Sequence, residues 1–192
     1  MDALLPVFVD RLLDQGRDPG EIPKIPVSSA TGWLGPFAAR VLSALGTGAQ
    51  EPADAFLAHG YVHLPLAAPH GRAVHLRLAA HTAMESWPVL ATSVVLTVTG
   101  TVALEMYREV ADSLQGRPQY ARSFGPEQMF AVHPGTQCST QSSPDGVQVL
   151  AAASPTPRVG TLLSGDEYRA AVQRTRWSLE GLAQFTPAGD RR

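Results

Sequence analysis

The sequence predicts a mainly β domain, an antiparallel β-barrel or sandwich with helices before it and one helix after it. Three observations carry that reading. From Tyr61 to Ala153 the chain breaks into short apolar or alternating runs separated by turn residues, which is the rhythm of strands. Before this block, apolar residues recur at helical spacing. After it, Ser164 stands three residues ahead of Glu167, the pairing of a capping box that opens a helix.

The elements follow in order. Residues 1–15 place Leu5, Phe8, Val9, Leu12 and Leu13 on one helical face. Residues 16–29 carry Pro19, Pro23 and Pro26, which forbid regular helix and favour extended chain. A second helix is expected over 33–45, with Leu34, Phe37, Val41, Leu42 and Leu45 aligned, and a short helical stretch over 52–58. Strands are then expected at Y-V-H-L-P-L from Tyr61, A-V-H-L-R-L from Ala73 and S-V-V-L-T-V-T from Ser93. Three more are T-V-A-L-E-M-Y from Thr101, E-Q-M-F-A-V from Glu127 and G-V-Q-V-L-A-A-A from Gly146. Pro69–Gly71 and Pro144–Gly146 mark turns. The organisation is thus a helical, proline-rich segment over 1–59, a β-block over 60–160 and a helix with a tail over 161–192, all in one compact domain. Such a β-block must close on itself or pair as two sheets to hide its edges.

Bulk properties narrow the function classes. A chain of 192 residues buries one good core. A net charge of −2 and a pI near 6.3 offer no footprint for nucleic acid. No apolar run reaches the ~20 residues that span a bilayer. The N-terminus carries Asp2 and Asp10 and lacks a basic leader, so a signal peptide is not expected and the expected address is cytoplasmic. Cys138, the sole cysteine, excludes an internal disulfide and any cysteine-cluster metal site. Lys24 is the sole lysine, and the bias to Arg, Ala, Gly and Pro suggests a GC-rich genome.

Certain motifs go further. G-Y-V-H-L-P-L-A-A-P-H-G-R-A-V-H-L-R-L from Gly60, V-L-T-V-T-G-T-V-A-L-E-M-Y from Val95 and F-G-P-E-Q-M-F-A-V-H-P-G-T-Q-C from Phe124 stand in order, followed by V-Q-V-L-A-A-A-S-P. Together these resemble the cupin superfamily, and within it the cysteine dioxygenase-like (thiol dioxygenase) branch, over about half of the chain. The resemblance implies a cupin-like jelly-roll barrel. Carried over residue by residue, it also implies a lost metal site. The family's His-x-His pair falls on Trp87 and Val89, its carboxylate on Ser93 and its third histidine on Cys138. Its substrate-binding arginine falls on His63, its active-site tyrosine on Ala153, and the histidine before that on Ala151. A non-haem iron site needs three nitrogen or oxygen ligands, and this set does not supply them. No metal and no cofactor are therefore expected.

The remaining candidates carry competing readings. The histidines gather at His59, His63, His70, His75 and His81, with His133 apart, yet no pair has metal-ligand spacing with a carboxylate; surface and turn roles compete with a relocated metal site. Cys138 is either a nucleophile, which needs a base or cation beside it, or a small hydrophobe in the wall. If the chain from Trp87 to Thr99 is one continuous strand, then Trp87, Val89, Ser93, Val95, Thr97 and Thr99 share a side and line a pocket; the alternative is that Trp87 plugs the barrel. Tyr107 is a candidate hydrogen-bond donor at the mouth. Substrate-binding candidates are accordingly Trp87, Val89, Ser93, Val95, Thr97, Cys138, His63, His75 and Tyr107.

The expected function is that of a metal-independent enzyme. It would bind an apolar, polyketide-like small molecule and promote a non-redox cyclisation or isomerisation in bacterial specialised-metabolite biosynthesis. The alternatives are a non-catalytic binding or regulatory barrel and a dioxygenase with relocated histidine ligands. Apolar surface on residues 1–15 and on Ile22–Val27 leads to the expectation of a homodimer. Neither nucleic acid nor membrane is expected as a partner.

Overall fold

The protein is described from a computed structural model, which covers residues 54–66, 73–80, 83–152 and 160–183. The expected helices over 1–15 and 33–45 lie outside these residues. The described chain is mainly β, with every strand pair antiparallel. In chain order the strands are β1 (Phe56–Ala58), β2 (Tyr61–Leu66), β3 (Ala73–Ala79), β4 (Ala83–Pro88), β5 (Ser93–Thr97) and β6 (Val102–Tyr107). A short helix α1 (Val110–Leu114) precedes β7 (Tyr120–Phe124), β8 (Met129–Val132), β9 (Gln137–Ser142), β10 (Val147–Ala152) and β11 (Thr161–Leu162). Helix α2 (Gly165–Ala183) closes the described chain.

The strands form a seven-stranded sheet in the order β11-β1-β2-β3-β10-β5-β8 and a four-stranded sheet in the order β4-β9-β6-β7. Side chains alternate between faces along a strand, so each strand of the large sheet serves two environments. Val62, Leu64, Val74, Leu76, Leu78, Val94, Leu96, Met129, Ala131, Val147 and Val149 point one way and pack with Ala171 and Leu179 of α2. The intervening residues face the small sheet. There Val95, Phe130, Val132, Leu104, Phe124, Val102 and Cys138 form a second apolar cluster between the sheets.

Helix α2 begins where the capping box places it. Ser164 Oγ accepts from the Glu167 backbone N–H at 3.3 Å, and Glu167 Oε2 accepts from Ser164 N at 2.8 Å. The Ser164 bonds hold the Glu167 carboxyl below its usual range. Arg174 ties the middle of the helix to the sheet through the Ala80 carbonyl at 3.1 Å and the Asp145 carboxylate. The turn after β5 requires Gly100. Its φ is +74°, and a Cβ there would stand 2.5 Å from Ser143 Oγ and 3.0 Å from Gly146 Cα.

Two expectations are corrected. Phe56–Ala58 is a strand and not the end of a helix, because its edge pairs with both β2 and β11 and propensity yields to that pairing. The segment from Trp87 to Thr99 is not one strand. Trp87 ends in β4 of the small sheet and Ser93 begins β5 of the large one, with residues 89–92 crossing between them. Pro88, which has no N–H to continue a ladder, stands at the break.

Candidate functional site

The space between the sheets has two unlike halves. At one end a polar row crosses the large sheet. His63 of β2 lies opposite Arg77 of β3, Arg77 opposite Gln148 of β10, and Gln148 opposite Thr97 of β5. All are buried, with exposures of 5% for His63, 1% for Arg77 and 0% for Gln148 and Thr97. Burying such groups is unfavourable unless they are hydrogen-bonded, and much of the row is. Arg77 donates to Gln148 Oε1 at 2.6 Å, and Gln148 Nε2 donates to Ser142 Oγ of the small sheet at 2.5 Å. The same Ser142 hydroxyl pairs with Tyr61 OH at 2.5 Å, while the Arg77 guanidinium lies 4.4 Å above the Tyr61 ring. The network therefore joins the two sheets.

Beside this network sits a group of rings. His63 stacks on Phe56 at 4.5 Å and 6°, and meets His75 edge-on at 5.6 Å. Phe56 also meets His75 edge-on at 5.8 Å. Among the described residues neither ring nitrogen of His63 has a hydrogen-bond partner, and the hydroxyls of Thr97 and Thr140 are buried in the same condition. Burial, reinforced by Arg77, His75 and His59, pushes the His63 pKa down from 6.5 to about 2. His63 is thus a neutral imidazole at any physiological pH.

The other half is apolar. Val89, Val95, Phe130, Val132, Leu104, Phe124 and Cys138 pack together, with Met106, Tyr120 and Leu150 partly exposed at their edge. The Tyr120 hydroxyl is buried there without a partner among the described residues. His75 is half-buried, in register with Leu150 on β10.

The fate of each sequence candidate is now clear. Val89, Val95 and Cys138 meet in the apolar cluster, and Ser93 and Thr97 share the inner face of β5 with Val95. His63 and His75 come together in the ring group. The Cα of Trp87 is paired with that of Cys138, but its side chain lies outside the described ones, as do His70, His81 and Ala153. Tyr107 does not join the site. It pairs with Gln137 on the face opposite Met106 and Cys138, where its hydroxyl donates to Glu105, and that bond with burial raises its pKa to about 12. Ala151 packs in the cluster beneath α2, so the resemblance carries a family histidine onto the wrong face of β10. Arg77, Gln148, Tyr61, Ser142, Thr140 and Tyr120 were missed. Alternation could have paired Arg77 with His75, but a buried arginine cannot be told from an exposed one by sequence.

An iron site does not fit the residues present. Val89 has no ligating atom, Ser93 Oγ donates to the Ala91 carbonyl at 3.1 Å, and the Cys138 sulfur sits in an apolar cluster as one soft donor where iron needs three nitrogen or oxygen ligands. Among the described residues no group of three His, Cys, Asp or Glu side chains could hold a metal ion. His133 lies apart at the β8–β9 turn, 3.5 Å from Thr92 Oγ1 through Nδ1. No described helix is long and apolar enough to cross a membrane.

The chain is similar in structure to several cupins of low sequence identity. A cupin superfamily protein from Desulfitobacterium hafniense is 9% identical, with 50% of this chain and 78% of that one covered at a TM-score of 0.41. An RmlC-like cupin from Shewanella frigidimarina is 13% identical over 53% of this chain and 82% of its own, with a TM-score of 0.43. Ectoine synthase from P. lautus is 12% identical over 66% and 82%, with a TM-score of 0.45. The similar structures include both enzymes and proteins of unknown function. No protein-family model and no curated protein matches the chain.

Proposed function

We propose that this protein is a metal-independent enzyme that binds an apolar small molecule between its sheets and promotes a non-redox cyclisation or isomerisation. A place in the thiol dioxygenase-like branch rests on the sequence resemblance, the bacterial setting rests on composition, and the polyketide-like ligand is part of the proposal. The observation that carries the reading is the divided interior. The inner cluster around Val89, Val95 and Phe130 is apolar, matching the body of an apolar ligand in chemistry, and buried polar groups with unused hydrogen-bonding capacity stand beside it. Such groups cost stability, of order 1–3 kcal/mol each, and a sheet selected for folding alone gains nothing from them. Enclosure and orientation can lower a barrier by several kcal/mol without redox chemistry.

The test is the ligand that the protein retains. Organic extraction of purified protein, followed by mass spectrometry, should give one apolar carbonyl-bearing compound in near-stoichiometric amount. Trp87→Ala should weaken its retention tenfold or more if the indole forms wall, and elemental analysis after growth in iron-, zinc- and nickel-supplemented medium should find no stoichiometric metal. About one metal per chain, lost on changing His75 or His133, would overturn the reading. A second reading, a non-catalytic binding or regulatory barrel, draws support from the close packing of the Arg77 network, which fills its end of the interior. The proposed assembly is a homodimer, and exposed Leu162 on the edge strand β11 would contribute apolar area to it. Light scattering near 20 kDa at micromolar concentration would count against the dimer.

A further inference from the structure

Beyond binding, the ring group at β1–β3 has the makings of a proton-transfer site. We propose that His63 and His75 form a catalytic pair for an apolar ketone. His63 donates a neutral N–H to the carbonyl oxygen, and His75 takes the proton from the carbon beside that carbonyl. This assignment rests on the reading of the interior as an enzyme's binding space, and it names the substrate class and two roles within it.

The geometry has three parts. First, a carbonyl oxygen and the acidic hydrogen next to it sit on neighbouring atoms, so the groups that serve them must themselves be neighbours. The two imidazoles are, at 5.6 Å between centroids and 82° between planes. Second, the pair is held still. Phe56 stacks on His63 and meets His75 edge-on, which fixes both rings before a substrate arrives. Third, a neutral imidazole owns one donor and one acceptor, and both nitrogens of His63 are buried with neither engaged among the described residues. A carbonyl oxygen set against one of them relieves an unfavourable state that the fold otherwise carries. His75 is the more exposed of the two, half-buried in register with the partly buried Leu150.

The chemistry balances without an oxidant or a metal. The C–H bond breaks, its electron pair becomes the new C=C bond, and the carbonyl pair moves onto oxygen to give an enolate. The proton rests on His75, and the His63 N–H holds the oxyanion. Because burial keeps His63 neutral, the group acts as a hydrogen-bond donor and not as a competing acid. Return of the proton to a different carbon gives an isomer. Alternatively the enolate carbon attacks a second carbonyl of the same molecule, a C–C bond forms, and the proton passes from His75 to the new alkoxide.

1-Tetralone, a bicyclic aryl ketone with one exchangeable position, serves as the probe. Saturation-transfer NMR reads its binding, and loss of its α-proton signal in D2O reads proton abstraction. Wild-type protein should bind it and speed the exchange by about a hundredfold or more over buffer. His75→Gln should return exchange to the buffer rate with binding retained. His63→Phe should do the same and abolish the downfield shift of the bound carbonyl carbon, whereas His63→Gln, which keeps an N–H donor, should restore part of both. His133→Gln, outside the ring group, should match the wild type. Bound tetralone that exchanges at the buffer rate overturns the catalytic pair while leaving the binding space intact. Exchange that survives both His63→Phe and His75→Gln overturns it too, and absence of binding overturns the pair and the proposed function together.

Discussion

The two faces of the large sheet are built from the same strands, and only the inner one mixes polar groups with its apolar residues. The face under α2 is apolar throughout, from Val62 and Leu64 across Leu76 and Val149 to Leu96 and Met129. One residue along each strand, the other face carries Tyr61, His63, His75, Arg77, Gln148 and Thr97. Both faces are buried, so solvent does not explain the difference. What it teaches is a division of labour. The α2 face secures the fold by burial worth ~25 cal/mol per Å² of apolar surface, and the inner face holds polar groups at some expense in stability.

The contrast can be broken most forcefully on the α2 face. Leu76→Ala should lower unfolding free energy by about 2–5 kcal/mol in urea titration, because the packed cluster beneath the helix cannot close on the gap. Ligand affinity per folded molecule should be unchanged. A loss of affinity matching the loss of stability would mean that the two faces do not divide their work.

A middle-sized effect should appear with pH. His63 has a folded pKa of about 2 against 6.5 in the unfolded chain, through burial first and then Arg77, His75 and His59. Between those values the unfolded chain binds a proton that the folded protein refuses. Stability should therefore fall as pH drops below 6.5, by up to about 1.4 kcal/mol per pH unit from this group, and gain nothing from it above that point. His63→Phe should flatten the profile between pH 6.5 and 4.5. An unchanged slope in that variant would assign the acid sensitivity elsewhere.

The smallest effect separates the halves of the interior. Cys138→Ser places a hydroxyl in the apolar cluster and should cost about 1–3 kcal/mol of stability. Its turnover per folded molecule should be near that of wild type, since a thiol pushed to about 12 is no nucleophile. Collapse of activity with the fold intact would show a covalent mechanism.

Much of this was legible in one dimension. Strands β2, β3, β5, β6, β8 and β10 announce themselves because alternating or continuous apolar runs end in turn residues, and α2 announces itself through Ser164 and Glu167. Strands β4, β7 and β9 do not. In β9, inward Cys138, Thr140 and Ser142 alternate with outward Gln137, Ser139 and Gln141, so hydrophobicity barely changes along the strand. Its burial comes from the sheet opposite, and no local pattern records that.

The sequence by itself determined the fold class, the non-ligating character of Val89 and the presence of histidines around His63 and His75. These are properties of residue type and spacing. Only the tertiary structure decided which face each side chain serves. The β2–β3 register puts His63 beside Arg77, the break after Pro88 sends β4 and β5 to different sheets, and the parity of β6 turns Tyr107 away. A strand's side chains flip faces with a single-residue shift, and the register that prevents the shift is set by partners far along the chain.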